Sequence, residues 1–229
     1  MAQWASLEKR LGYVFKRSQL LKKALTHRSV SGSDNNERME FLGDSILGCV
    51  MAGKVYDRFP RADEGTLSRL KSHLVCGDQL LIVGKALGLS DFLIVGPGEA
   101  KAGGHQRNSV VADAVEAILG AIYLDAGDNG MVEARECIER LFGSALESLT
   151  PEAALKDPKS RLQEWLQSQG AEVPVYEMLS VTGPDHNQCF TVACRLVVAG
   201  SEHVFNGSGR GRRGAEQDAA SVAIAHFGI

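Results

Sequence analysis

The sequence predicts two domains of different class: an all-α domain over residues 1–148, a linker at 149–156, and an α+β domain of order α-β-β-β-α over 157–229. Three observations carry this reading. Apolar residues recur at helical spacing through the first domain, β-branched alternation is scarce there, and strand-like alternation begins only after a polar segment holding two prolines.

Taken in order, Leu20, Leu21, Ala24 and Leu25 form an apolar stripe at helical spacing, as do Leu67, Leu70 and Leu74. The segment NERMEFLGDSIL is amphipathic, with Met39, Leu42 and Ile46 on one face. Gly43 and Gly48 are expected to interrupt it, each at about 1 kcal/mol against alanine, while leaving room for another backbone or a ligand. The stretch from Asn108 to Leu124 is a long apolar-periodic helix ending near Gly127. In the segment TPEAALKDPKS, Thr150-Pro151 and Asp157-Pro158 each put a good N-cap before a proline suited to a first helical turn. The second domain opens with a helix carrying Leu162, Trp165 and Leu166. Strands are expected at Pro174 to Val181, Phe190 to Val198 and Glu202 to Phe205, with turns at Gly183-Pro184 and Ala199-Gly200. Phe190, Val192, Cys194 and Leu196 alternate with Thr191, Ala193 and Arg195, the pattern of a sheet with one buried face. A small-residue helix from Ala215 to Phe227 closes the chain.

Composition narrows the class. Hydrophobic residues are 44% and charged residues 23%, ordinary for a globular chain and not for a disordered one. MAQWASLEKR has no apolar core of a secretory signal, and no apolar run approaches the roughly 18 residues that span a bilayer. The five cysteines are odd in number and form no Cys-x-x-Cys pair, which points to reduced thiols in a cytoplasmic protein rather than disulfides or zinc. The formal net charge of −3 shows no general excess of Lys and Arg, so any surface for a polyanion must be local.

Two acidic constellations carry the chemistry. Glu37, Glu40 and Asp44 fall within an arc of roughly 60° on one helix. Like charges so placed repel by roughly a few tenths of a kcal/mol per pair and call for a compensating cation. Asp113 and Glu116 lie one turn apart on the Asn108–Leu124 helix, whose alanines and Gly120 suit tight packing against the first acidic helix. Side by side, the two would bring Glu40, Asp44, Asp113 and Glu116 to one point. Oxygen ligands without His or Cys suit Mg²⁺ or Mn²⁺, and a metal-bound water beside a phosphoryl group is the arrangement for phosphodiester hydrolysis. Acidic residues on helices are also commonly solvated faces. Spacing alone does not separate this site from a structural metal site or from other carboxylate-cluster hydrolases.

NERMEFLGDS (Asn36 to Ser45) resembles the signature of the ribonuclease III family, N-E-R-L-E-F-L-G-D-S, with Met39 for leucine, a volume-conserving change. The likeness extends to LTHRS (Leu25 to Ser29), DEGTLSRLK (Asp63 to Lys71) and ADAVEAILGAIYLD (Ala112 to Asp125). In the second half, DPKSRLQEWLQ, PVYE, TGPDHNQCFTVAC and GSGRGRRGAEQDAA resemble, in order, a double-stranded-RNA-binding domain. The resemblance implies a metal-dependent endoribonuclease that cuts double-stranded RNA, leaving 5′-phosphate ends and short 3′ overhangs, and that works in rRNA and mRNA processing. It implies Glu40, Asp44, Asp113 and Glu116 as metal ligands, Asp44 and Glu116 as the catalytic pair among them, and Glu37 and Glu64 as supporting acidic positions nearer the subunit interface and the RNA. It further implies Mg²⁺ as cofactor with Mn²⁺ able to substitute, a homodimer with two active centres in one valley, and neither an organic cofactor nor a membrane.

For the second half the resemblance implies RNA contacts from Gln163, Glu164 and His186, and a phosphate clamp from Arg210, Arg212 and Arg213 around the start of the last helix. Gly211 stands where the family usually has a serine, removing a capping hydroxyl at a cost of roughly a few tenths of a kcal/mol. The glycines of GSGRGRR also suggest a dinucleotide-binding loop, but no βαβ unit surrounds them. Trp165 reads as core. A double-stranded-RNA-binding protein with an inactive nuclease domain and a structural protein bound to ribosomal RNA are the competing readings. Neither needs an intact acidic quartet.

Overall fold

The computed structural model describes residues 4–151, 157–184 and 188–229. The chain divides into two compact units, Met1–Ala154 and Leu155–Ile229. The first is helical among its described residues: α1 (Ala5–Leu11), α2 (Ser18–Ala24), α3 (Glu37–Arg58), α4 (Glu64–Val75), α5 (Gly77–Ala86), α6 (Pro97–Lys101), α7 (Asn108–Ala126) and α8 (Gly130–Ser148), with three short 3₁₀ turns. The second holds α9 (Pro158–Ser168), β1 (Val175–Thr182), β2 (Cys189–Val198), β3 (Ser201–Gly209) and α10 (Arg212–Phe227). The predicted all-α and α-β-β-β-α classes both stand.

In the first unit α7 is the central post. It is apolar nearly all round, from Val110 and Val111 to Ile122, because α2, α3, α5 and α8 pack around it. α3 runs unbroken through 22 residues, so Gly43 and Gly48 do not interrupt it as expected. Around Gly48 nothing lies within 4 Å of where a Cβ would be. Gly43 and Gly120 do mark a close approach: a Cβ on Gly43 would strike the backbone oxygen of Glu116, and one on Gly120 would strike that of Met39. The two helices therefore cross backbone to backbone, and this crossing fixes where their side chains meet.

Two further anchors complete the unit. Asp63 caps α4 by accepting from Thr66 N at 2.7 Å. Asp125, buried at the end of α7, accepts from Tyr13 Oη at 2.9 Å, Lys16 N at 2.8 Å and Arg17 N at 2.9 Å, which ties the segment between α1 and α2 to the core. Leu149, the first residue of the expected linker, is buried against this core.

In the second unit β1, β2 and β3 form one antiparallel sheet in that order, with Val175 opposite Arg195 and Cys194 opposite Phe205. Leu162 and Leu166 of α9, Cys194 and Leu196 of β2, and Ala219, Ala220 and Ala223 of α10 make its core. Ala193, expected on the solvent face, is buried as well. Asp157 caps α9 by accepting from Ser160 N at 3.1 Å, with Pro158 in the first turn. Trp165 is half-buried and packs on Phe227, ring centroids 4.7 Å apart.

β3 continues four residues past the expected end at Phe205, and α10 begins at Arg212 rather than Ala215. Both differences have one cause. Gly207 and Gly209 read as loop, yet a Cβ on Gly207 would strike the Ala219 nitrogen and the Ala215 oxygen, and one on Gly209 the Ala215 nitrogen. The glycines are strand residues that let α10 ride directly on β3. The Gly-rich run is therefore a strand and a helix start, and not a dinucleotide-binding loop.

Candidate functional site

Because α3 and α7 cross at Gly43 and Gly120, residues one turn to either side face one another. Carboxylate oxygens of Glu40, Asp113 and Glu116 lie within 4.8 Å of each other. Asp44, one turn along α3, is exposed and outside that tight set. Its charge is nonetheless the leading one acting on Glu116. The expected convergence of four carboxylates is thus three in contact range with Asp44 on the rim.

The electrostatics follow from this crowding. Burial, then the charges of Asp44, Glu40 and Asp113, push the Glu116 pKa up to about 8 from an ordinary 4.5. Glu40 is also raised, by burial and then by Asp113 and Glu37. Asp113 is raised by burial, against the lowering influence of His27 and Arg28. Asp125, on the same helix as Glu116, provides the contrast. Burial pushes it up too, but hydrogen bonds from Lys16, Tyr13 and Arg17 outweigh that and leave its pKa lowered. The buried carboxylate of α7, Asp125, is satisfied by donors; the half-buried Glu116 is not.

Glu40 and Asp113 of the cluster line a cleft of about 750 Å³. On its wall Arg28 Nη1 lies 3.5 Å from Glu37, and Arg107 Nη1 lies 3.0 Å from Glu99. Sequence reasoning gave no role to His27, Arg28, Glu99 or Arg107. His27 and Arg28 sit inside the quoted LTHRS segment, so the signal was present; the pairing of Arg107, the N-cap of α7, with Glu99 of the short helix α6 is one that no periodicity marks.

Of the two supporting acidic residues, Glu37 lines the same cleft as Glu40 and Asp113, and Glu64 lies away from it. Glu37 is the first residue of α3, where its backbone N donates to Asn35 Oδ1 at 3.0 Å and its carboxylate faces Arg28. Glu64 opens α4, accepts from Ser68 Oγ at 2.8 Å, and lines a separate groove with Tyr56, Leu67 and Lys71.

In the second unit Gln163 and Glu164 are exposed on α9. His186 lies outside the described residues. Arg210 and Arg213 are exposed before and within the first turn of α10. Arg212 Nε donates to Glu216 at 2.9 Å. Gly211 is the N-cap and offers no side-chain bond. Gln163, Arg212 and Arg213 share a basin with Lys159 and Ser160.

A helical unit that gathers half-buried carboxylates at a helix crossing, joined to a small sheet unit whose last helix begins with arginines, defines a two-part nuclease of acidic-cluster type. Comparison with known proteins makes this specific. Residues 17–145 match the Ribonuclease-III-like family model, and residues 158–226 match the double-stranded RNA binding motif. Ribonuclease 3 of Idiomarina loihiensis is 50% identical over 221 residues, covering 96% of this chain and 94% of that protein. Ribonuclease 3 of Alkalilimnicola ehrlichii is 53% identical over 219 residues, covering 96% and 93%. The solved nuclease domain of ribonuclease III from Campylobacter jejuni superposes with a TM-score of 0.57 at 39% identity, covering 62% of this chain and 99% of that domain, and is described with a region involved in its dimer formation. The chain belongs to the ribonuclease III family and is an endoribonuclease of that type.

Proposed function

We propose that this chain hydrolyses phosphodiester bonds of double-stranded RNA with a divalent cation held by Glu40, Asp44, Asp113 and Glu116, among which Asp44 and Glu116 matter most to turnover. The observation that carries this reading is the meeting of Glu40, Asp113 and Glu116 within 4.8 Å. The donor set fits such a cation. It is all hard oxygen, which suits Mg²⁺, or Mn²⁺ in its place, better than zinc. The upward push on Glu116, set first by burial and then by the charges of Asp44, Glu40 and Asp113, has the same sense, since a bound cation would offset those charges. When bound, the cation supplies an activated water and stabilises charge on a phosphoryl oxygen. The chain's own contribution is to fix the carboxylates at a backbone crossing and to set Arg28 and Arg107 beside them, where a backbone phosphate can be met.

In this reading the nuclease work belongs to residues 1–148 and duplex binding to 157–229, joined through 149–156. Gln163, Glu164 and His186 reach the grooves, and Arg210, Arg212 and Arg213 meet phosphates. Cleavage leaves 5′-phosphate ends and short 3′ overhangs, and the enzyme serves rRNA and mRNA processing in the cytoplasm. All five cysteines are free, in keeping with a reducing compartment, and no helix among the described residues is long and apolar enough to cross a membrane. The test is purified protein on long perfect duplex RNA, with Mg²⁺ or with EDTA, and end mapping of the products. Cutting in EDTA, or none in Mg²⁺, would overturn the assignment.

The chain also forms a homodimer in this reading. Alanine and glycine around Gly43, Gly48 and Gly120 do not support it as expected, because Gly43 and Gly120 are occupied by the packing of α3 on α7 within one chain. Support comes instead from Phe41 and Tyr56 on α3, which are 76% and 69% exposed, unusual for aromatic residues on a helix of an isolated chain. Sedimentation equilibrium at micromolar concentration is expected to give twice the chain mass, and Phe41→Asp to return it to a monomer.

A further inference from the structure

Glu216 sits among the cations that the reading above assigns to RNA. Its residue is 9% exposed, and its carboxylate accepts from Lys159 Nζ at 2.5 Å and from Arg212 Nε at 2.9 Å. The two donors come from different helices, Lys159 from the first turn of α9 and Arg212 from the first residue of α10. The same helix ends are laced a second time. Gln217 Nε2 donates to Asp157 at 2.8 Å, and Lys159 N donates to Gln217 Oε1 at 3.1 Å. Lys159 Nζ also lies 4.4 Å from the centre of the Tyr176 ring.

An acidic side chain on a phosphate-binding surface is repulsive to the ligand, so its presence there needs a compensating role. The geometry supplies one. Arg212 uses one of five N–H donors on Glu216 and keeps its terminal amino groups on a side chain that is 64% exposed. Two cations share one carboxylate, so the group remains net positive. Long, flexible Lys and Arg side chains lose rotamer freedom when they grip a phosphate, and here part of that ordering is already in place through the bonds to Glu216.

We propose that Glu216 is a positioning residue for RNA: it fixes the ammonium of Lys159 and the guanidinium of Arg212 at one spacing, so that α9 and α10 present a single preset pair of cations to the duplex backbone. Lys159 thereby joins the RNA-binding residues. The proposal rests on the reading of this unit as the duplex-binding one. The lowered pKa of Glu216, set first by its hydrogen bond from Lys159, keeps the carboxylate charged for this task.

The test measures binding of the full-length chain to a labelled, perfectly paired 30-nucleotide RNA duplex in EDTA, at several salt concentrations. Wild type, Glu216→Gln, Lys159→Gln and Arg213→Ala are compared. Glu216→Gln preserves size and adds one unit of net positive charge, so simple Coulomb attraction predicts tighter binding. Positioning predicts binding weaker by about 10-fold, the scale of one charge-assisted contact. The salt slope is then expected to fall by about one, a change that a purely structural role would not produce. Lys159→Gln is expected to behave alike, and provides the same test should Glu216→Gln fold poorly. Equal or tighter binding by Glu216→Gln, or an unchanged affinity of Lys159→Gln, overturns the proposal while wild-type binding and a weakened Arg213→Ala leave the duplex-binding reading intact. A wild type that retains no duplex overturns both.

Discussion

The acidic centre of the first unit and the basic basin of the second solve the same problem with different devices. In the first, like charges must be held together, and rigid backbone does it. Gly43 and Gly120 let α3 and α7 touch, and Glu40, Asp113 and Glu116 are left facing each other with burial and mutual repulsion unrelieved. In the second, like charges are held by a side chain of opposite sign, Glu216, between Lys159 and Arg212. One region stores an unmet demand for a cation; the other has met its own demand and presents the surplus positive charge. Charge density is thus a guide to function only when read with what already neutralises it. Asp125 makes the point within a single helix, being more deeply buried than Glu116 but supplied with donors.

The comparison is broken most directly at Glu116. Glu116→Gln preserves shape and removes charge, and is expected to reduce duplex cleavage by about 10³-fold or more, several kcal/mol of lost charge stabilisation. Gel-shift binding of the same duplex should persist, since binding belongs to the other unit. Near wild-type cutting at saturating Mg²⁺ would remove Glu116 from the site.

The backbone half of the argument is tested at Gly43. Its Cβ would collide with the Glu116 backbone oxygen, which is no flexible side-chain tip. Gly43→Ala must push α3 from α7, and such overpacking destabilises by about 1–3 kcal/mol. Gly48→Ala meets open space and, by helix propensity, should stabilise by up to about 1 kcal/mol. Thermal unfolding of the pair decides it: equal melting temperatures would mean that the crossing tolerates a methyl group and does not set the site.

How far these features could be read in advance depends on sequence separation. Glu40 and Asp44, or Asp113 and Glu116, are three or four residues apart on one helix, so periodicity shows them at once. Their convergence was legible too, because glycine on both helices signals close approach. Asp44 at the rim was not, since spacing gives an angle around one axis and not the depth at which two helices cross. The bond between Lys159 and Glu216 spans 57 residues and joins two elements, beyond the reach of any local pattern. The end of β3 was missed for a related reason. Gly207 and Gly209 carry loop propensity, and only α10 lying on top of them explains why they remain strand.

On the basic side, Arg212 and Arg213 together replaced by alanine should weaken duplex binding by about 10- to 100-fold at every sequence alike. Each lost phosphate contact should also lower the salt slope by about one unit. These two arginines and Arg210 are three of the seven Lys and Arg residues after Thr150, so the half has few other sources of attraction. Filter binding at three or more salt concentrations measures both quantities. An unchanged slope would show that this end of α10 is merely solvated.

The smallest effect sharpens the contrast between an unmet and a met charge. Glu116 holds its proton up to a pH of about 8 in the folded chain but only to its ordinary 4.5 when unfolded. Folding therefore takes up a proton between those values. The stability linked to that proton is fully present below the lower value and is lost as pH rises through the upper one. Without divalent metal, wild type should consequently melt lower at pH 8.5 than Glu116→Gln, by about 2–4 °C for a unit of this size, and the gap should close at pH 5. Adding Mg²⁺ at pH 8.5 should raise wild type more than the variant, because the cation supplies what the missing proton did. Asp125→Asn is the matched control. Its native donors already favour the charged form, so this change should lower the melting temperature at pH 8.5, where Glu116→Gln raises it. Scanning calorimetry of all three in EDTA gives the answer. Two substitutions on α7 that shifted stability in the same direction would show that burial alone, and not the supply of donors, governs these carboxylates.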